Sequence, residues 1–326
     1  MTPDLEKADP HFLYYVFSSP EQLAYIDAHA IKVGVPHTNL GILRNTPLVL
    51  PPLVEQRRIA HILGTLDDKI ELNRQLNTTL EQLARALFQS WFVDFDPVRA
   101  KASGEPADSI CRRLGLTPEL LALFPAELEA SALGEVPVGW EVQSLDKAAT
   151  FLNGLACQKF PPQGKIDLPV IKIAQLRKGD TTGADLADAS SVPTAYIVEN
   201  GDVLFSWSGS LEVEIWGGGI GMLNQHLFKV DSDLYPKWFY YLWTRHHLPA
   251  FRLIASDKAT TMGHIQRKHL TNAKVLVPSS SLIESMTAHF APLLDQLEAT
   301  TEESRTLAAL RDELLPKLLS GDIRLN

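Results

Sequence analysis

The 326-residue chain is 45% hydrophobic and 21% charged, with two cysteines and a net charge of −9 at pH 7. That is the composition of an ordinary soluble protein long enough for two domains with proper cores. No apolar run reaches the length of a membrane span, MTPDLEKADP is no secretion signal, and Cys111 and Cys157 show neither a disulfide framework nor metal-ligand spacing. The expectation is a cytoplasmic protein without a metal or a cofactor. An acidic chain is also a poor generic nucleic-acid binder, because neutralising phosphates takes basic side chains. Residues 138–278, however, hold 14 Lys/Arg against 13 Asp/Glu, so the acidity lies largely elsewhere.

Taken in order, residues 1–52 resemble the tail of a domain whose body is absent. The run Phe12-Leu13-Tyr14-Tyr15 is expected to be helical, yet short of core partners, so it should be marginal or dock elsewhere. Residues 53–95 form a long helix preceded by Pro51 and Pro52, which sit where missing backbone donors cost least. Leu63, Leu66, Ile70, Asn73, Asn77, Leu80, Ala84, Leu87 and Trp91 recur at three- and four-residue steps, the mark of a seam against a partner helix. At about 1.5 Å per residue, the stretch from Leu53 to Trp91 is on the order of 55 Å long.

The same seam returns 227 positions later in residues 281–326, with Met286, Phe290, Leu293, Leu297, Thr300, Ser304, Leu307, Arg311, Leu314 and Leu318. Even the polar interruptions repeat, Asn73 and Asn77 falling on Thr300 and Ser304. Such interruptions cost stability but fix register and partner. Upstream, PHFLYY at 10–15 resembles PKWFYY at 236–241, and LVLP ending at Pro51 resembles VLVP ending at Pro278. The chain therefore carries an internal duplication with a period too long for a solenoid, a globular unit plus a helix made twice.

Residues 96–137, punctuated by prolines and glycines, form a connector of loops and short helices. Trp91, Phe92 and Phe95 crowd the end of the first long helix, and the expectation is that they pack rather than anchor a partner. From Val138 the pattern changes to short β-branched and aromatic runs at Val170–Ile173, Tyr196–Val198, Val203–Ser206 and His226–Val230, which predict strands. Helices are expected at 238–246 and 249–255, giving a mixed α/β domain over 138–280. The fold class is α+β: this domain, and two long helices that pair along their seams as a coiled coil.

No catalytic residue is assigned. Ser206, Ser208 and Ser210 with His226 suggest a serine nucleophile, but the segment lacks a G-x-S-x-G elbow and an acid to orient the histidine. The glycines at 217–221 complete no phosphate-binding motif and are better explained as a hairpin turn. What remains is a set of polar and basic side chains suited to base edges and phosphates: Gln158, Lys159, Lys172, Gln175, Arg177, Ser206, Ser208, Gln225, His226, Thr261, His264, Arg267 and Lys268.

Several stretches resemble the specificity subunits of type I restriction-modification enzymes: LPPLVEQRRIAHILGTLDDKIELN at 50–73, FQSWFVDFDPVRAK after it, LGEVPVGWEV at 133–142, GDVLFSWSG at 201–209, LNQHLFKV at 223–230 and LLPKLLSGDIRL at 314–325. The resemblance covers nearly the whole chain and is specific at the helix and connector. It implies a non-catalytic subunit that recognises double-stranded DNA through a target-recognition domain at 138–280, with two antiparallel spacer helices setting the distance between half-sites. The implied partners are methyltransferase subunits that use S-adenosylmethionine to modify adenine, and an ATP-dependent restriction subunit. Residues 1–52 would be the remnant of a first recognition domain, the chain matching the C-terminal two-thirds of a full subunit. A second copy of the chain is a further expected partner, and a symmetric pair would read a palindrome. The rival readings are a protein-interaction scaffold that binds no DNA, and a hydrolase using Ser208 and His226.

Overall fold

The computed structural model describes residues 4–31, 37–257 and 263–323. Two compact units emerge, Met1–Leu76 with Thr300–Asn326, and Asn77–Ala299. The first long helix, Leu53–Phe88, and the second, Ser280–Ser320, each contribute to both. No helix among the described residues is long and apolar enough to cross a membrane.

In the first unit, the Asp9 side chain caps the helix Pro10–Ser18 by accepting the His11 and Phe12 N–H groups. This places Phe12, Tyr15 and Val16 on one face, where they are buried against Ile59, Ala60 and Leu63 of the first long helix and Leu315 and Leu318 of the second. Of the two expectations for this segment, marginal or docked elsewhere, the second is the one observed: the paired helix ends supply its core. The Gln56 side chain, 1% exposed, secures the junction through the Asp9 N–H and the Lys7 and Pro51 carbonyls. Pairing of the two helices is antiparallel here, since Asp67 meets Arg311 at 2.7 Å, Lys69 meets Glu303 at 3.1 Å, and Asn73 reaches the Thr300 carbonyl at 3.4 Å. Tyr15 also donates to Asp67 at 2.7 Å, tying the short helix to this pair.

In the second unit the first long helix ends in a π-helical turn, Gln89–Val93, and Phe95 takes a left-handed conformation at φ +57°. Trp91, Phe92 and Phe95 are buried, as their crowding predicts; Trp91 packs on Phe290 with centroids 5.9 Å apart. The connector holds helices Asp96–Ala102, Ala107–Leu114 and Pro118–Leu123, then a hairpin of β1 (Leu128–Ser131) and β2 (Gly134–Pro137) that its proline-rich sequence does not announce. Ile110, Leu120, Phe124 and Val136 join the unit's main core, so the connector is packed structure rather than a linker.

The remaining strands are β3 (Glu141–Ser144), β4 (Thr150–Asn153), β5 (Asp167–Ile171), β6 (Leu186–Asp188), β7 (Ile197–Val198), β8 (Val203–Ser206), β9 (Val213–Ile215), β10 (Gly221–Leu223), β11 (Leu227–Asp231) and β12 (Lys274–Val277). They form sheets in the orders β4-β11-β8-β9 and β6-β5-β10-β7, while β12 pairs with β3. Because β9 pairs with β8 and β10 with β5 and β7, residues 217–221 cross from one sheet to the other and are not the expected hairpin turn. Close approach explains Gly221: a Cβ there would lie 2.7 Å from the Ile171 side chain.

A single helix, Lys237–Asp257, replaces the two expected and runs through Pro249. Buried Trp238, Phe239, Leu242 and Trp243 before the proline, and Phe251 and Ala255 after it, hold both halves to one core, which outweighs the lost backbone hydrogen bond. From this helix, Arg245 pairs with Glu81 of the first long helix and with Glu214 of β9. Burial pushes the Glu214 carboxyl up, and the Arg245 charge opposes that rise.

Candidate nucleic-acid interface

The site is built around the turn that joins β10 to β11, residues Leu223–His226. The Leu155 N–H bonds the Leu223 carbonyl at 2.9 Å, the Gln225 N–H bonds the Leu155 carbonyl at 2.8 Å, and the Asn224 N–H bonds the Ile171 carbonyl at 3.2 Å. Gly154 makes this approach possible, because a Cβ there would collide with the Asn224 backbone. The ends of β4 and β5 are thereby drawn onto the turn, and with them Lys172, the residue after Ile171.

Trp207 is the centre of the group. Its indole N–H is shared between Asn153 Oδ1 at 2.9 Å and the Gln225 carbonyl at 3.1 Å. Its ring lies against His226, Phe228 and His264, with centroids 5.7, 6.1 and 6.4 Å away. The Ser208 hydroxyl meets His226 Nδ1 at 3.0 Å, and residue 208 forms a β-bridge with His264. Arg267 stands over the Phe228 ring at 5.6 Å and donates to the Phe151 carbonyl.

Of the predicted side chains, His226 and His264 are therefore brought to Ser208 and Trp207, with Gln225 beside His226, while Arg267 reaches the group only through the Phe228 ring. Gln158 and Lys159 are exposed on the turn Cys157–Lys159, which follows Leu155. Lys172 is exposed and paired with Asp185, whose carboxyl this contact holds below the usual range. Arg177 is exposed on the short helix Ile173–Lys178, and Lys268 is exposed next to Arg267 on Arg267–Asn272. Thr261 lies outside the described residues.

Three predicted contacts need correction. Gln175 is buried, its side chain accepting the Lys172 N–H as a helix cap. Ser206 is 0% exposed, its hydroxyl donating to the Ser210 carbonyl at 2.7 Å and accepting the Glu212 N–H. Ser208 is 3% exposed and its hydroxyl is engaged by His226. As folded, none of the three presents a free group to a ligand. Sequence reasoning missed Asn153 and Trp207; the signal was a tryptophan set among serines and a glycine at the end of a strand.

The Ser208–His226 pair does not assemble a hydrolase. The other ring nitrogen of His226 faces the Gln225 amide at 3.5 Å rather than a carboxylate. The N–H groups of Trp207 and Gly209, which flank the serine, are taken by the carbonyls of His226 and Gly263, so neither can stabilise an oxyanion. Among the described residues no group of three or more His, Cys, Asp or Glu is arranged to hold a metal ion. Cys111 and Cys157 are free thiols, and burial pushes Cys157 up. What the arrangement presents is an aromatic face with cations near it. As folded, His226 bonds Ser208 with one ring nitrogen and faces the Gln225 amide with the other, and Gln225 Oε1 is buried without a partner, so a ligand would draw these groups outward to use them.

Residues 2–82 match a family described as the type I restriction modification DNA specificity domain. Over 96% of its length the chain is 27% identical to the type I restriction enzyme HindI specificity subunit of Haemophilus influenzae, covering 77% of that protein. It is 23% identical to the MjaIX specificity subunit of Methanocaldococcus jannaschii, again over 96% of this chain and 69% of the relative. Similar solved structures include the HsdS subunit from Thermoanaerobacter tengcongensis (18% identity, 98% of this chain, 72% of that one, TM-score 0.36) and the type I restriction-modification S subunit from M. genitalium (17% identity, 97% and 74%, TM-score 0.49).

Proposed function

We propose that this chain, which belongs to the family of type I restriction-modification specificity subunits, recognises a DNA sequence and has no catalytic role of its own. It supplies target choice to methyltransferase and restriction subunits that modify adenine or cleave DNA. Residues 138–280 act as the recognition domain, residues 53–95 and 281–326 as spacer helices, residues 96–137 as the connector, and residues 1–52 as the counterpart of a recognition domain's end. The observation that carries the reading is the cluster on Leu223–His226, where Gln225 and His226 on the turn and His264 gather around Trp207, and Arg267 is linked to them through Phe228. Side-chain amides and guanidinium groups suit the base edges of a major groove, and Lys159, Lys172, Arg177 and Lys268 suit flanking phosphates. Such a subunit works in the cytoplasm, where DNA is present.

The test is to mix the purified chain with its methyltransferase subunit, select from a pool of randomised duplexes, and sequence what is retained. An enriched motif is expected. If two copies of the chain act together, the motif is palindromic. Retention of duplexes without any shared sequence, or of none, would remove the reading and favour a protein-binding scaffold.

A further inference from the structure

The duplication supplies an internal template for a surface of the first unit. In the second unit, β12 is the last strand of the recognition domain, just ahead of the second long helix, and β3 covers it in antiparallel register, Val275 opposite Gln143, Leu276 opposite Val142 and Val277 opposite Glu141. Val275, Leu276 and Val277 are correspondingly 0%, 6% and 8% exposed. Trp140, just ahead of β3, seats on Phe92 and Phe95 at the end of the first long helix, with centroids 5.7 and 5.9 Å apart.

Shifted back by 227, Val275-Leu276-Val277-Pro278 becomes Leu48-Val49-Leu50-Pro51. Here the same apolar run is 36%, 79% and 43% exposed at Leu48, Val49 and Leu50. Among the described residues, the backbone groups of these three make no hydrogen bond, and no strand lies beside them. Shifted forward by 227, Phe92 and Phe95 become Leu319 and Asp322. Both line a groove of about 560 Å³ whose apolar wall also includes Val16, Leu48, Val49 and Pro316. Tyr14, which the match of PHFLYY to PKWFYY (an offset of 226) sets against the buried Tyr240, is 62% exposed. An open strand edge and a groove with Leu319 in place of Phe92 and Asp322 in place of Phe95 thus occur together, where β3 and Trp140 sit in the other copy.

We propose that Leu48–Leu50 is a docking edge for an extended strand that carries an aromatic residue immediately ahead of it, with the aromatic seated against Leu319. Such strand addition takes its affinity from main-chain hydrogen bonds and its specificity from the side-chain pocket. The occupant has the chemistry of residues 140–144: an aromatic, then alternating polar and apolar residues. The inference rests on the duplication and not on the DNA-reading function, so either can fail alone.

The probe is a synthetic peptide with the sequence of residues 136–148, added in large excess to the full chain and followed by amide hydrogen exchange. Slowing at Leu48, Val49 and Leu50 by roughly tenfold or more is expected, with Val275–Val277 unchanged. Peptide carrying Trp140→Ala should bind roughly tenfold more weakly, as loss of an anchoring aromatic does. In the chain, Leu48→Asp alters an exposed groove residue and should abolish the effect while leaving the melting temperature in place. No slowing at 48–50, or slowing confined to 275–277, would overturn the proposal. So would amides at 48–50 that are already slow in the free chain and become slower with protein concentration, because the occupant would then be a second copy.

Discussion

Gly154 is where one hydrogen atom in place of a side chain determines the candidate interface. Any Cβ at this position would overlap the Asn224 backbone, so Gly154→Ala must push the end of β4 away from Leu223–His226. Asn153 would then lose the Trp207 indole, now 2.9 Å away, and Trp207 would lose its fixed position beside His226. Backbone clashes of this kind cost about 1–3 kcal/mol of stability. The expected outcome is a folded protein with a lower melting temperature and at least tenfold weaker binding to its DNA target. Full affinity in this variant would mean that the cluster does not touch DNA. The polar candidates were legible one by one, since amide, imidazole and guanidinium groups show themselves in sequence. Their gathering was not, because it depends on Gly154 and on backbone hydrogen bonds among three separate strands. Nor could sequence show that Ser206 and Gln175 spend their polar groups on local backbone.

At the scale of elements, periodicity revealed the two long helices, because a seam of apolar residues at three- and four-residue steps has no other economical explanation. The seam's detail drifted: Leu294 is 2% exposed while the expected Leu293 is half-buried, as follows when a helix of 3.6 residues per turn is read with a 3.5-residue rule. The short strands were harder: the predicted runs match β7, β8 and β11 to within one residue, but the run at Val170–Ile173 starts three residues late on β5, and the hairpin β1–β2 gave no alternation to find. Asn73 shows what a polar seam position does. It is 1% exposed, and its amide nitrogen bonds Glu303 at 2.7 Å and the Thr300 carbonyl at 3.4 Å, but its side-chain oxygen has no partner. A buried unsatisfied oxygen costs about 1–3 kcal/mol, comparable to what the two hydrogen bonds return. Asn73→Leu should therefore leave thermal stability unchanged or raise it by a few degrees, while loosening the register and admitting larger oligomers. Thermal unfolding and solution mass check this together. A fall in stability of 2 kcal/mol or more would show that the hydrogen bonds to the second helix dominate.

For the whole molecule, the question is how a chain of net charge −9 holds a polyanion. The balance of 14 basic to 13 acidic residues over 138–278 leaves that region near neutral, so attraction has to come from placement rather than from total charge. Lys159, Lys172, Arg177, Arg267 and Lys268 are all exposed, and they divide by what surrounds them. Arg267 is held by the Phe228 ring and the Phe151 carbonyl, a fixed position suited to a base edge. Lys268 is its exposed neighbour, suited to a phosphate. Phosphate contacts set the salt dependence, and base contacts set sequence preference. Lys268→Ala should weaken binding to matched and mismatched duplexes alike, and flatten the plot of log affinity against log salt by about one unit. Gln225→Ala should leave that slope unchanged, cost about 1–3 kcal/mol on the matched duplex, and relax preference at one base position. Titrations of both variants at several salt concentrations, on matched and mismatched DNA, separate the two roles. If both variants change the slope and neither changes preference, the cluster is a patch for DNA backbone alone, and sequence is read elsewhere on the domain.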